Sequence, residues 1–299
     1  MVERVYCAFL PGADMARFLV VLLLLLPGLL QAQVLTDASG KTLNLQQPVK
    51  RIVVLAPNIA ENLYAIGAGD LIVGRVAHTD YPPPVAELPQ VGDYQQFNLE
   101  AILALKPDLV LAWQQGNPEA RLQNLESMGL RVFRLSSVTL DDIPRNLELL
   151  GRLTARESEA AGAAGAFRDR LARLAPQAGP RPRLFYQLWD DPLLSVSKST
   201  LIGEAITFCG ADNVFAERPE SVPQLNLEAV IAAKPDIIVS TNELAASWRE
   251  RWLPWQQIPA VALNQLVTLQ ADQMHRATPR FLDGLEALCN AVADVRSSR

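Results

Sequence analysis

Residues 98–113 read NLEAILALKPDLVLAW, and residues 226–241 read NLEAVIAAKPDIIVST. Asn98, Leu99, Glu100 and Ala101 recur as Asn226, Leu227, Glu228 and Ala229, and Lys106, Pro107 and Asp108 recur as Lys234, Pro235 and Asp236. In each copy the spacing predicts a short helix ended by the proline, which lacks an N–H and clashes with the preceding turn. A continuous apolar run follows, Leu109–Ala112 and Ile237–Val239, of the kind that suits a parallel strand buried on both faces. A second echo supports the first: Glu61 precedes Gly67, Ala68 and Asp70, as Glu204 precedes Gly210, Ala211 and Asp212. Two echoes in the same order, offset by 128 and 143 residues, predict two similar α/β lobes rather than a short-period solenoid. Such a molecule has one natural place for a ligand, the cleft between its lobes.

Outward from the repeats, the N-terminal stretch reads as a leader. Arg17, the apolar run Phe18–Leu30 and the site Leu30-Gln31-Ala32 follow the order of a secretory signal. Interrupted by Pro27 and Gly28, the run is too short to span a bilayer. A signal peptide over 1–32 leaves 267 residues, enough for two ordinary domains. The leader's charges cancel, so the net charge of −5 belongs to the remainder and argues against nucleic acid, whose binding needs a basic face. Without the leader, Cys7 is gone and Cys209 and Cys289 remain. An even pair in an exported chain favours a disulfide over two buried thiols.

The residues predict an N-terminal lobe over 33–153, a linking helix over 154–178 and a C-terminal lobe over 179–299. The first lobe opens with a hairpin, Val34–Thr36 against Thr42–Leu45. Asn58 is placed to cap a helix from Ile59 to Ile66, and Pro82, Pro83 and Pro84 to hold the preceding loop extended. Thr154 and Glu157 have the spacing of a capping box at the head of the linking helix. In the second lobe a tryptophan-rich helix is expected around Trp248, Trp252 and Trp255, and a loop over Asp272–Arg276. Alternating strands and helices give parallel sheets wrapped by helices, whose ligands sit beyond the carboxyl ends of the strands. Tyr81, Tyr94 and Trp113 fall in loops of that kind. They suit a flat apolar platform, with ordinary core packing as the other reading.

Chemistry is sparse. His78 and His275 are the only histidines, too few for a metal site of three or four such ligands. His275 beside Asp272 offers a base and its orienter, the basis of an exported-hydrolase reading. No serine in a strained G-x-S-x-G turn accompanies them, and no phosphate-cradling glycine loop is present. A binding protein, not an enzyme, fits better.

The export signal, the strand–Pro–Asn–Glu helix, the Asp80-Tyr81-Pro82-Pro83 loop, the repeated NLE…KPD and the long linking helix together resemble a known class. It is the helical-backbone (class III) superfamily of periplasmic binding proteins, whose two lobes are joined by one rigid helix. Asp80-Tyr81-Pro82-Pro83, Ala112-Trp113 with Gly116-Asn117, and the Cys209/Cys289 pair are most similar to its cobalamin (vitamin B12)-binding receptors. The resemblance implies a periplasmic monomer without a resident cofactor. It would carry cobalamin or another corrinoid to the permease dimer of an ATP-binding-cassette importer. It places Tyr81, Tyr94 and Trp113 on the first lobe's side of the pocket and Trp189, Asp272 and Arg276 on the second's. It puts Glu100 and Glu228 at the lobe tips, where they dock on the transporter. Two positions depart from the pattern: Tyr94 stands where a tryptophan is expected, and Ser221–Gln224 contains none. A haem or iron–siderophore receptor is the alternative of the same class, although Arg276, with Arg75, is a small basic complement for an anionic ligand. His78, next to the pocket loop, is a lone candidate for contact with a ligand's metal.

Overall fold

A computed structural model describes residues 33–174 and 179–298. The expected leader, 1–32, and the end of the expected linking segment, 175–178, lie outside the described residues. Strands β1 (Gln33–Thr36) and β2 (Thr42–Leu45) form an antiparallel hairpin. Two parallel sheets follow. The first contains β3 (Ile52–Val54), β4 (Ile72–Arg75), β5 (Leu109–Trp113) and β6 (Val132–Leu135) in the order β4-β3-β5-β6. The second contains β7 (Arg183–Tyr186), β8 (Asp212–Asn213), β9 (Ile237–Thr241) and β10 (Leu266–Leu269) in the order β10-β9-β7-β8. Numbered within each lobe, both sheets run second, first, third, fourth, so the sequence repeat is a repeat of topology.

The helices are α1 (Pro57–Ala65), α2 (Leu99–Ala104), α3 (Glu119–Ser127), α4 (Asp142–Thr154) and α5 (Glu157–Arg173), then α6 (Leu201–Phe208), α7 (Leu227–Ala233), α8 (Pro259–Ala262), α9 (Ala271–Met274) and α10 (Phe281–Ser297). Apolar clusters cover both faces of each sheet, as near-continuous apolar strands require. At 17 residues, α5 is about 26 Å long. Its Ala160 and Ala164 pack in the first lobe's core and its Phe167 in the second's. The helix before it also straddles the lobes, since Ile143, with Leu140 just ahead of the helix, belongs to the second core while Leu147 and Leu150 belong to the first.

The repeat has the same local anatomy twice. Asn98 and Asn226 accept the backbone N–H of Ala101 and Ala229, both at 3.0 Å, capping α2 and α7. Lys106 and Lys234 both take left-handed backbone, with φ of 47° and 43°. The helix therefore ends in a left-handed residue before the proline that was expected to end it. The Asp108 carboxylate accepts from the backbone of Lys50 and Arg51, and that of Asp236 from Arg183. The Arg51 guanidinium donates to the carbonyls of Leu105 and Lys106, and that of Arg183 to Ala233. These bonds satisfy orphan carbonyls and fasten each helix end to the root of its sheet's first strand.

Several local expectations give way to tertiary packing. Pro57 is the first residue of α1, the position where a missing N–H costs nothing, so Asn58 lies inside the helix, buried and capping nothing. Pro83–Glu87 coils into a 3-10 helix instead of staying extended. Thr154 closes α4 and donates its hydroxyl back to Leu150, Ala155 turns the chain at φ 56°, and α5 starts without a side-chain cap. The apolar face of α4 (Ile143, Leu147, Leu150, Leu153) is buried throughout and carries the helix through Thr154, the expected cap, because packing outweighs local signals. The tryptophan-rich stretch is a short 3-10 helix, Ala246–Arg249, followed by turns. Trp248 and Trp252 are nonetheless buried in the core cluster around Phe185. Asp272 lies in α9 and not in a loop.

The lobes are fastened differently. In the first, fully buried Arg134 meets Glu126 at 2.8 Å, Glu119 at 3.0 Å and Asp37 at 3.6 Å, tying the hairpin to the sheet. In the second, Cys209 and Cys289 form a disulfide between the end of α6 and α10.

Candidate functional site

The candidate residues leave the carboxyl ends of the strands. Tyr81 follows β4, Trp113 ends β5, Trp189 follows β7, and Asp272 and Arg276 follow β10. On the first lobe, the rings of Tyr94 and Trp113 lie 6.3 Å apart at 49°. Buried Asn117 sets this pair: it accepts the Trp113 N–H and donates to the carbonyls of Tyr94 and Leu55. A side chain at Gly116 would overlap the Trp113 ring, which explains the glycine. Tyr94 is 40 % exposed and Tyr81 43 %, so both present ring surface to solvent.

The second lobe reaches Tyr81 through an ion network. Glu61 on α1 has only 3 % of its side chain exposed. Its carboxylate takes the fork of Arg280, with Oε2 accepting from Nε at 3.0 Å and Oε1 from Nη2 at 2.8 Å. The same Oε1 accepts from Arg276 Nη1 at 2.8 Å. Arg276 also donates to Asp80 at 2.8 Å and to the His78 carbonyl at 3.2 Å, and its Nη2 lies 2.9 Å from Asp272. The Arg280 guanidinium sits 3.7 Å from the centre of the Tyr81 ring, a cation–π contact. Asn62 adds a hydrogen bond to the Ala277 carbonyl. A buried carboxylate is costly unless every oxygen is paired, and here both are. Burial works against the Asp80 carboxylate, yet the hydrogen bond and charge of Arg276 outweigh it and hold its pKa below the ordinary value. Burial likewise works against the charge of Arg276, but Asp80 and Glu61 outweigh it and hold the guanidinium protonated more firmly than usual.

The network brings Tyr81, Asp272 and Arg276 together and leaves Tyr94 and Trp113 as a separate pair. Trp189 is 43 % exposed, pairs by a backbone bridge with Leu194, and makes no hydrogen bond, ion pair or ring contact with the other five among the described residues. Its loop borders a cavity of about 380 Å³ lined by Gln187, Asp190, Arg251, Trp252 and Trp255. Glu100 and Glu228 are exposed in the first turns of α2 and α7, with no ion-pair partner among the described residues. His275 does not meet Asp272. Its Nδ1 lies 3.0 Å from Glu243 and its Nε2 3.2 Å from the Tyr186 hydroxyl, so both ring nitrogens are engaged. Burial pushes the Tyr186 hydroxyl well above its ordinary pKa. His78 is exposed, at a left-handed φ of 61°.

Glu61, Arg280, Asp80 and Asn117 join the site although the spacing argument did not single them out as site residues. For Glu61 a signal existed, because a glutamate inside the apolar run Ile59–Ile66 needs a buried partner. Among the described residues, no helix is long and apolar enough to cross a membrane and no cluster of His, Cys, Asp and Glu is suited to a metal.

A family profile described as "Periplasmic binding protein" matches residues 52–273. The vitamin B12-binding protein of Vibrio cholerae is 38 % identical over 245 residues, covering 81 % of this chain and 88 % of that protein. The crystal structure of the periplasmic vitamin B12 binding protein of Vibrio cholerae superposes with a TM-score of 0.77 at 34 % identity, over 83 % of this chain and 98 % of the other. A periplasmic haem-binding protein from Pseudomonas aeruginosa superposes with a TM-score of 0.68 at 26 % identity, over 82 % and 92 %.

Proposed function

The chain belongs to the periplasmic binding protein family, and from that premise we propose that it captures a corrinoid, cobalamin or a close relative, between its lobes and hands it to an ATP-binding-cassette importer. The observation that carries this reading is the Tyr94–Trp113 pair, fixed by Asn117 with Tyr94 exposed, together with the exposed ring of Tyr81 on the same lobe. A broad, flat macrocycle laid on such rings buries apolar area at about 25 cal/mol per Å². The relatives named for vitamin B12 support the same ligand. Trp189 faces the ligand from the second lobe, and Asp272 and Arg276 contact its amide rim. The task is capture, with no bond made or broken, and the leader over 1–32 takes the protein to the periplasm. Glu100 and Glu228, in equivalent first turns of the two lobes, dock on the two halves of the permease, since like surfaces meet like under two-fold symmetry.

Calorimetric titration of the mature protein with cyanocobalamin tests the reading. One-to-one binding, lost in the Trp113→Ala, Tyr81→Ala double variant, is expected; absence of binding overturns it. Glu100→Arg with Glu228→Arg is expected to abolish uptake while leaving the titration unchanged, and normal uptake would remove the docking role.

A further inference from the structure

Of the two arginines that cross between the lobes, Arg276 has little left to offer an anion, and Arg280 offers its remaining N–H groups only beside the Glu61 carboxylate. Arg276 has committed Nη1 to Glu61 and Asp80, and Nη2 to the His78 carbonyl beside Asp272. Of its five N–H groups, three donate to protein acceptors, and Nη2 lies in addition 2.9 Å from Asp272. Arg280 places its Nε and one Nη2 hydrogen in a fork on Glu61 and its face on Tyr81. Three carboxylates, Glu61, Asp80 and Asp272, thus surround two guanidiniums. The neighbouring pairs repeat the pattern: Arg251 lies 2.7 Å from Asp190, and His275 lies 3.0 Å from Glu243.

We infer that Glu61 and Asp80 are specificity-determining residues that make the cleft reject anionic macrocycles. The inference rests on the corrinoid reading and names what that site excludes. A haem carries two propionates. A propionate held by Arg276 must take the guanidinium from Glu61 or Asp80, and one held by the remaining N–H groups of Arg280 must lie beside the buried Glu61 carboxylate, so either position sets it against an acid. Removing one member of a buried pair is costly, and a site discriminates as much by uncompensated charge against a competitor as by contacts to its own ligand. A corrinoid rim made of neutral amides asks only for single donors and acceptors, which Arg276 Nε and the outer oxygens of Asp272 supply without breaking a pair. The haem-binding relatives share the fold, so the discrimination lies in these side chains and not in the architecture.

The test titrates the wild type, Asp80→Asn and Glu61→Gln with haemin and, in parallel, with cyanocobalamin, at low and high salt. Asp80 is 60 % exposed, so its variant keeps the fold even where Glu61→Gln does not. The wild type is expected to bind haemin at least a hundredfold more weakly than cyanocobalamin. Each folded variant is expected to gain at least tenfold for haemin, about 1.4 kcal/mol, with the gain shrinking at high salt. Haemin binding by the wild type as tight as cyanocobalamin, or haemin affinity unmoved in Asp80→Asn, overturns the inference. If the wild type ignores cyanocobalamin while the variants still gain haemin, the corrinoid reading falls and the exclusion role stands.

Discussion

Glu61 and Glu204 hold the same place in the two repeats, on the helix that follows the first strand of each sheet, and each reaches out of its own repeat. Glu61 meets two arginines of the second lobe. Glu204 accepts one backbone N–H, from Leu140 at 2.6 Å, with Asp141 and Asp142 as its charged neighbours. Burial, helped by those two acids, pushes the Glu204 carboxyl above its ordinary range despite the Leu140 bond. The repeat dictates where a carboxylate sits. What lies opposite dictates whether it is a bridge or a strained charge.

The largest expected effect separates the lobes as wholes. Cys289→Ser opens a loop whose ends are 80 residues apart, worth about 4.5 kcal/mol in the chain-entropy model. Urea unfolding should show the second lobe melting early while the first, held by the Arg134 cluster, keeps its midpoint. A single shifted transition would mean that the helices shared between the lobes make them one cooperative unit.

Glu61→Gln comes next. It leaves two guanidiniums facing a neutral amide, one 11 % and one 26 % exposed, and is expected to cost about 3 kcal/mol. Glu204→Gln, which keeps an acceptor for Leu140, is expected to change stability by less than about 1 kcal/mol. Equal losses in the same denaturation assay would break the contrast. At the third level the lobes should agree, because Asn98→Ala and Asn226→Ala each remove the same 3.0 Å cap and should each cost about 1 kcal/mol. A loss at one cap alone would show that the repeat is not energetically symmetric.

The smallest effect is a pH dependence of opposite sign at two carboxyls. Glu204 has a raised folded pKa. Its contribution is full below the ordinary glutamate value of about 4.3 and is lost as pH rises through the raised value. Glu204→Gln should therefore melt level with the wild type near pH 4 and above it near pH 8. Asp80 has a lowered folded pKa, so its contribution is present above about 3.9 and lost as pH falls through the lowered value. Asp80→Asn should match the wild type only in acid. Melting curves of the three proteins from pH 3 to 8 check both signs.

Much of this was legible because it is local and periodic. The NLE…KPD echo reports a helix and the strand after it, and both copies fold so, although each helix ends at a left-handed lysine before the proline and the paired asparagine caps were not singled out. The Cys209–Cys289 bond was legible from number and compartment. The Thr154 box failed because a four-residue signal competes with a buried helical face. Asn58 failed because Pro57 was better suited to begin the helix. His275 was read beside Asp272 from proximity along the chain, whereas its partners are Glu243, 32 residues away, and Tyr186, 89 away.

By itself, then, the sequence determined two α/β lobes of the same topology, the staple in the second and the aromatic loops at the strand ends, because apolar periodicity and turn chemistry act within a few residues. Only the tertiary structure decided that Glu61 would take Arg276 and Arg280, some 215 and 219 residues away, and that Arg276 would also be paired with Asp80. Partners at that separation are chosen by how the lobes dock. No repeat or spacing encodes that distance, while the strength of a charge contact depends on little else.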